Sequence, residues 1–221
     1  MDELAELHLK TYQVWHHRRL LLLQGALGDI PTAELDFIAR GLNVDAKNYH
    51  TWAYRQWLLA HFNRDELWAG ELDYIESKLD EDMRNNSAWH HRFFVVFGSG
   101  VRKGEEDRKE VARREFTFTK EKIAAAPNNA SAWNYLRGVL DFSKIPYDTL
   151  KDFVLPYALA QPTESGSDAS VVDLENPRPS IGAELPCPAA IEFLADIYEK
   201  EDDEGVLKAI GVSKNCFTRN L

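Results

Sequence analysis

KNYHTWAYRQWLL, residues 47–59, decides the fold because it recurs. KTYQVWHHRRLLL occupies 10–22, RNNSAWHHRFFVV 84–96 and NNASAWNYLRGVL 128–140. The anchors are Trp15, Trp52, Trp89 and Trp133, spaced by 37, 37 and 44 residues. An arginine follows the first three anchors at the third position (Arg18, Arg55, Arg92), and in the fourth copy it slips one place to Arg137. A fixed period of this length is the mark of a stacked array in which each repeat is one supersecondary unit.

A second register lies upstream of each later anchor. Leu35, Ile38 and Leu42 precede Trp52, Leu72, Ile75 and Leu79 precede Trp89, and Phe116, Thr119 and Ile123 precede Trp133 at the same offsets. An i, i+3, i+7 set is one face of a helix. Glu34, Glu71 and Glu115 stand one residue earlier, where a first-turn acid suits the positive end of the helix dipole. Each unit therefore reads as a hairpin of helix B, with the aliphatic stripe, and helix A, with the tryptophan. Pro31 suits the start of one B helix. Asn48, Asn85, Asn86, Asn128 and Asn129 sit where an amide can cap an A helix. Neither stripe is buried within its own helix, but stacked neighbours bury both. The expected fold is all-α: a right-handed α-α superhelix (solenoid) of helical-hairpin repeats.

These repeats occupy 1–160. The stretch 161–188 holds five prolines among Ser, Gly and Asp and reads as a flexible linker. Residues 189–221 open on AAIEFLADIYEK, a helical segment. The insert GSGVRKGEEDRKE at 98–110 accounts for the longer interval and reads as a loop or a lengthened helix start.

With 26 Lys+Arg against 36 Asp+Glu, the net charge of −10 argues against a nucleic-acid-binding face. No apolar run is long enough for a membrane span, and the acidic start MDELAELHLK lacks a signal-peptide layout. Cys187 and Cys216 have no metal-ligand spacing and are expected as free thiols of a cytoplasmic chain. His16–His17 and His90–His91 lack a matching ligand at i+3 or i+4 and are expected as interface histidines. The Trp/Arg pairs are expected as cation–π architecture. No metal site, P-loop or dinucleotide-binding motif is present.

One edge of the array is uneven. Five residues before each anchor stand Lys10, Lys47, Arg84 and Asn128. Three before stand Tyr12, Tyr49, Asn86 and Ala130, and two before stand Gln13, His50, Ser87 and Ser131. The first two helix starts thus offer a lysine, a tyrosine and a further polar group where helix dipoles favour anions, and the fourth offers neither the lysine nor the tyrosine. The residues leave two readings open there, a polyanion site and a solvated cap.

The W-x-x-R repeats with KTYQVWHHRR, KNYHTWAYRQW and NNSAWHHRFF resemble the protein prenyltransferase α-subunit family. The likeness is strongest to the α subunit shared by protein farnesyltransferase and geranylgeranyltransferase type I. The resemblance implies a partner β subunit that carries the catalytic zinc, with no cofactor in this chain beyond magnesium accompanying a diphosphate. It implies transfer of a farnesyl or geranylgeranyl group from its diphosphate to the cysteine of a C-terminal CaaX sequence. It assigns Lys10 and Tyr12 to the leaving diphosphate, Gln13 to the peptide carboxylate, and Asn48, Tyr49 and His50 to substrate binding. The other readings are a Rab-type geranylgeranyltransferase α subunit and a non-catalytic repeat scaffold. The family carries a further N-terminal block of repeats and a different C-terminal segment, so the chain is expected to be a partial subunit.

Overall fold

Alternation of stripe and tryptophan builds hairpins throughout the computed structural model, which describes residues 8–25, 31–98, 108–159, 173 and 175–200. The chain forms two units, Met1–Glu106 and Asp107–Leu221. Among the described residues there are helices and turns but no strand.

In the first unit, α1 (Tyr12–Leu23), α3 (Tyr49–Phe62) and α6 (Asn86–Phe93) carry the anchors, while α2 (Pro31–Val44) and α5 (Glu71–Glu81) carry the stripes. A short α4 (Asp65–Trp68) bridges α3 and α5, and a π-helical turn, Phe94–Gly98, follows α6. Helix α2 packs on α3 and α5 on α6, and the anchor helices pack on one another, α1 on α3 and α3 on α6.

The second unit repeats the scheme with α7 (Arg108–Ala125) and α8 (Ala130–Ser143). Of the 98–110 insert, Gly98 ends the π-helical turn and residues 108–110 lengthen the start of α7. A 3-10 turn (Tyr147–Leu150), α9 (Lys151–Ala158) and α10 (Pro188–Lys200) complete it, with α10 packed on both α9 and α8.

Every anchor does the same local work. The indole N–H of Trp15, Trp52, Trp89 and Trp133 donates to the carbonyl six residues upstream, on Leu9, Ala46, Met83 and Pro127, at 2.7, 2.9, 2.9 and 2.8 Å. That bond closes the turn in front of each A helix. Asn48, Asn85 and Asn129 cap the last three of these helices, each side chain accepting from backbone amides of the first turn. Asn86 and Asn128, also expected as caps, do not serve: Asn86 is the first residue of α6, and Asn128 donates to the carbonyl of Glu184.

The B helices depart from the expected stripe. Leu35, Leu72 and Phe116 are only half-buried. The buried rows are Glu34, Ile38, Leu42; Glu71, Ile75, Leu79; and Glu115, Thr119, Ile123. Each glutamate, expected to answer a helix dipole, is the first member of the core row. Its charge is met from both sides. Arg18 chelates Glu34 and Arg55 chelates Glu71 through Nε and Nη2. From the next anchor helix, Tyr54 donates to Glu34 (2.7 Å), His91 to Glu71 (3.0 Å) and Tyr135 to Glu115 (2.8 Å). The arginines were expected against tryptophan. They lie instead over B-helix rings, Arg18 over Phe37 at 3.6 Å and Arg55 over Tyr74 at 3.9 Å. A planar guanidinium satisfies the carboxylate in its plane and the ring with its face.

The last hairpin is a fifth repeat written in apolar residues. Phe153 and Phe193 pack on Trp133, as Phe37 and Tyr54 pack on Trp15. In this register Leu150 replaces the glutamate, Phe193 the tyrosine and Leu136 the arginine, and all three are buried. Arg137 therefore slips out by one place and pairs with Asp196 near the surface at 2.9 Å. Cys187 stands in the cap position, its Sγ 2.9 Å from the Pro127 carbonyl that also accepts Trp133. The cap Asn85 does the same at Ala46.

Within 161–188, residues 175–187 are not a free linker. Lys120 donates to the Glu175 carbonyl and the Asn176 side chain, Tyr157 to the Pro177 carbonyl, and Ser180 N–H to Ala124. Polar groups of α7 and α9 hold it in place. Residues 161–172 and 174 of that stretch, the 201–221 tail and Cys216 lie outside the described residues.

Candidate functional site

The first two anchor-helix starts lie side by side. Leu9 and Thr51 both approach Gly41, whose missing side chain leaves room: a Cβ there would sit 3.4 Å from Leu9 and 3.5 Å from Thr51. Lys10 follows Leu9 directly, and its ammonium reaches Asp45 Oδ2 at 3.7 Å, in the turn that opens α3. Lys10 is thereby brought to the helix start that carries Tyr49 and His50.

Of the residues expected in the site, Lys10, Tyr12, Gln13 and Tyr49 are exposed and His50 is half-buried. Tyr12 stacks on His16 at 5.9 Å, and Tyr49 meets the His50 ring edge-on at 5.6 Å. Tyr12 and Tyr49 leave large aromatic rings 60% and 76% exposed, surface that the folded core does not use. No hydrogen bond joins Tyr12 or Gln13 to the second helix start among the described residues.

Asn48 differs from the expectation. It is buried, and its side-chain oxygen is taken by the amides of His50 (3.0 Å) and Thr51 (3.2 Å). Its first role is the cap of α3, and only its Nδ2 lacks a partner. Through that cap it fixes the backbone from which Tyr49 and His50 project.

The histidine pairs separate. His16, His17 and His90 are exposed, though His90 Nδ1 lies 3.4 Å from Gln56 Nε2 of α3, and His91 is buried in the interface. Among the described residues no group of three or more His, Cys, Asp or Glu side chains is placed to hold a metal ion. Burial holds the His91 ring neutral by lowering its pKa, against the pull of Glu71. In Glu71 burial opposes ionisation, but the bond from His91 and the charge of Arg55 outweigh it and hold the carboxyl below its usual range. These groups are architecture.

The acids at the edge escaped the sequence reading. Asp45 and Asp82 each stand seven residues before an anchor, where the fourth repeat has Ala126. Lys47 pairs with Asp82 at 2.9 Å, repeating the Lys10–Asp45 contact one unit on. The signal was in the register of the repeats, two columns away from those compared.

A cleft of about 330 Å³ in the second unit, lined by Asp141, Lys144, Tyr147 and Lys200 among others, contains none of the expected residues. Three of its polar side chains engage one another. Tyr147 donates to Asp141 at 3.0 Å, and Lys200 lies 3.5 Å over the Tyr147 ring.

No described helix is long and apolar enough to cross a membrane. No curated protein sequence matches the chain. Among solved structures it is similar to a chain of the Candida albicans protein geranylgeranyltransferase-I complexed with GGPP, with 30% identity and a TM-score of 0.70. The match covers 90% of this chain and 59% of that one, so this chain spans less than two thirds of its relative's length. The family described as protein prenyltransferase alpha subunit repeat matches residues 1–25, 31–62, 68–98 and 112–143, which brackets all four tryptophan anchors. Those segments make up more than half of the sequence, and the chain belongs to the protein prenyltransferase alpha subunit repeat family.

Proposed function

We propose that this chain serves as the α subunit of a heterodimeric CaaX protein prenyltransferase of the farnesyltransferase or geranylgeranyltransferase type I kind. The observation that carries the reading is the reach of Lys10 to the opening turn of α3, which joins its charge to Tyr49 and His50. Family membership and the likeness to a geranylgeranyltransferase-I chain support it.

In this reading the isoprenoid leaves its diphosphate as the cysteine sulfur attacks, and negative charge grows on the leaving group. Lys10 meets that charge with a flexible ammonium, while Tyr12 and His50 add directed donors. Tyr49 lines the site, and Gln13 donates to the terminal carboxylate of the peptide. Asn48 holds the α3 start in place. The β subunit would hold the zinc that activates the thiol, and magnesium would accompany the diphosphate. This chain's own part is electrostatic and positional.

Co-expression with a β subunit of either kind is expected to yield a heterodimer that transfers an isoprenoid to a CaaX peptide. Lys10→Ala is expected to lower turnover on the order of a hundredfold, the low end for loss of a group that meets developing charge, with assembly intact. Full turnover in that variant sinks the assignment. Transfer confined to Rab proteins would point to the Rab-type enzyme. Unchanged partner binding with no transfer at all would leave a repeat scaffold.

A further inference from the structure

We infer that Asp45 is a positioning residue for Lys10, holding its ammonium at the start of α3, and that Asp82 does the same for Lys47 at the start of α6. The inference rests on the proposed function, and it names how one repeat lends its lysine to the next.

The two acids share one geometry. Oδ1 of Asp45 accepts the backbone N–H of Lys47 at 3.3 Å, and Oδ1 of Asp82 accepts that of Arg84 at 2.9 Å. That bond fixes each carboxylate within its own turn. The other oxygen faces the preceding repeat, where Asp45 Oδ2 meets Lys10 at 3.7 Å and Asp82 Oδ2 meets Lys47 at 2.9 Å. Lys47 holds the Asp82 carboxyl below its usual range, and the Arg84 amide adds to this.

A lysine does not seat itself here. Its stem is long and its ammonium strongly hydrated. A helix start is also the positive end of a dipole and repels a cation. Lys10 is 85% exposed, so packing does not hold it either. A carboxylate anchored in the turn supplies the missing attraction. It places the ammonium where an incoming diphosphate also finds the α3 dipole, Tyr49 and His50. Among the tryptophan-anchored repeats the acids occur only at these two joints. The fourth repeat has Ala126 in their column, and the third has Arg84 rather than a lysine in the column it would serve.

Asp45→Asn removes the charge and keeps an oxygen for the Lys47 amide. In the chain alone, labelling of lysines with an amine-acetylating reagent, read by mass spectrometry, is expected to rise about twofold at Lys10 in this variant. In the heterodimer, turnover is expected to fall about two- to fivefold, the range open to an exposed ion pair. KM for the CaaX peptide is expected to stay level, and Asp45→Glu to restore part of the loss. In a Lys10→Ala background Asp45→Asn is expected to have no further effect, because it acts through Lys10. Unchanged Lys10 labelling overturns the inference, as does an Asp45→Asn defect that persists without Lys10. An impaired Lys10→Ala beside a fully active Asp45→Asn overturns this inference alone. A fully active Lys10→Ala overturns the proposed function instead.

Discussion

A carboxylate buried between helices is tolerable only when its charge is met by partners that are themselves fixed. Glu71 has Arg55 on one side and His91 on the other, and His91 is enclosed by the Trp52 and Phe94 rings. His91 Nε2 carries the donated proton, and Nδ1 has no hydrogen-bond partner. A second proton on this ring would be buried without an acceptor, beside Arg55 and next to His90. Burial therefore lowers its pKa from the ordinary value of 6.5. The sign follows from linkage. Above pH 6.5 the ring is neutral in both states and its contribution is whole; as pH falls below that, the unfolded chain takes up a proton that the folded chain refuses. Stability is expected to fall as pH drops through that window, the slope approaching a limit of about 1.4 kcal/mol per pH unit for one proton. The same position holds tyrosine at Tyr54 and Tyr135, donating to Glu34 and Glu115. His91→Tyr is expected to flatten the dependence between pH 7.5 and 5.5, read by urea unfolding at both values. Equal slopes in both proteins would clear His91 of the effect.

At the scale of the element, the caps do two jobs in one place. Asn85 accepts from Ser87 and Ala88 and donates to the Ala46 carbonyl of the preceding turn, at 2.9 Å. It stops fraying of α6 and ties the two turns together. Asn48 does the first job for α3, while its Nδ2 has no partner. Loss of a cap costs about 1 kcal/mol, and loss of a buried hydrogen bond about another 1 kcal/mol. Asn85→Ala is thus expected to cost about 2 kcal/mol and Asn48→Ala about half of that, measured by denaturant unfolding. Equal costs would mean that the bond to Ala46 contributes nothing. The capping signal was legible in the sequence, but five asparagines competed for it. Which of them served was decided by the turn that each tryptophan closes.

For the molecule as a whole, the joints between repeats come in two chemistries. Arg18–Glu34–Tyr54 and Arg55–Glu71–His91 are polar, while Leu136–Leu150–Phe193 fills the same register with apolar side chains. The chain thus contains the control experiment for its own buried ion pairs. Arg55→Leu alone strands Glu71 in the core and is expected to cost about 3–5 kcal/mol. The triple variant Arg55→Leu, Glu71→Leu, His91→Phe copies the last joint and is expected to recover most of that loss. A triple variant as unstable as the single one would show that the apolar solution does not transfer between joints.

The repeats were readable because their cause is local. Helix geometry sets the spacing of a stripe, and one large indole with one bond to the carbonyl six residues back marks each turn. Hairpins, anchors and the uneven edge at Lys10, Tyr12, Tyr49 and His50 all follow from such short-range constraints. The pairing of Arg with Glu 16 residues on, and of Glu with Tyr or His 20 residues further, was not readable. Those groups meet only when separate helices stack, and nothing in the period says which faces touch. The fifth hairpin was hidden for the complementary reason: Ile191, Cys187 and Leu150 replace the Trp, Asn and Glu that made the others visible. The sequence by itself determined an all-α array of hairpins and the columns in which its polar groups stand. Only the tertiary structure decided which columns face each other, because a buried charge selects its partners by distance across an interface and not along the chain.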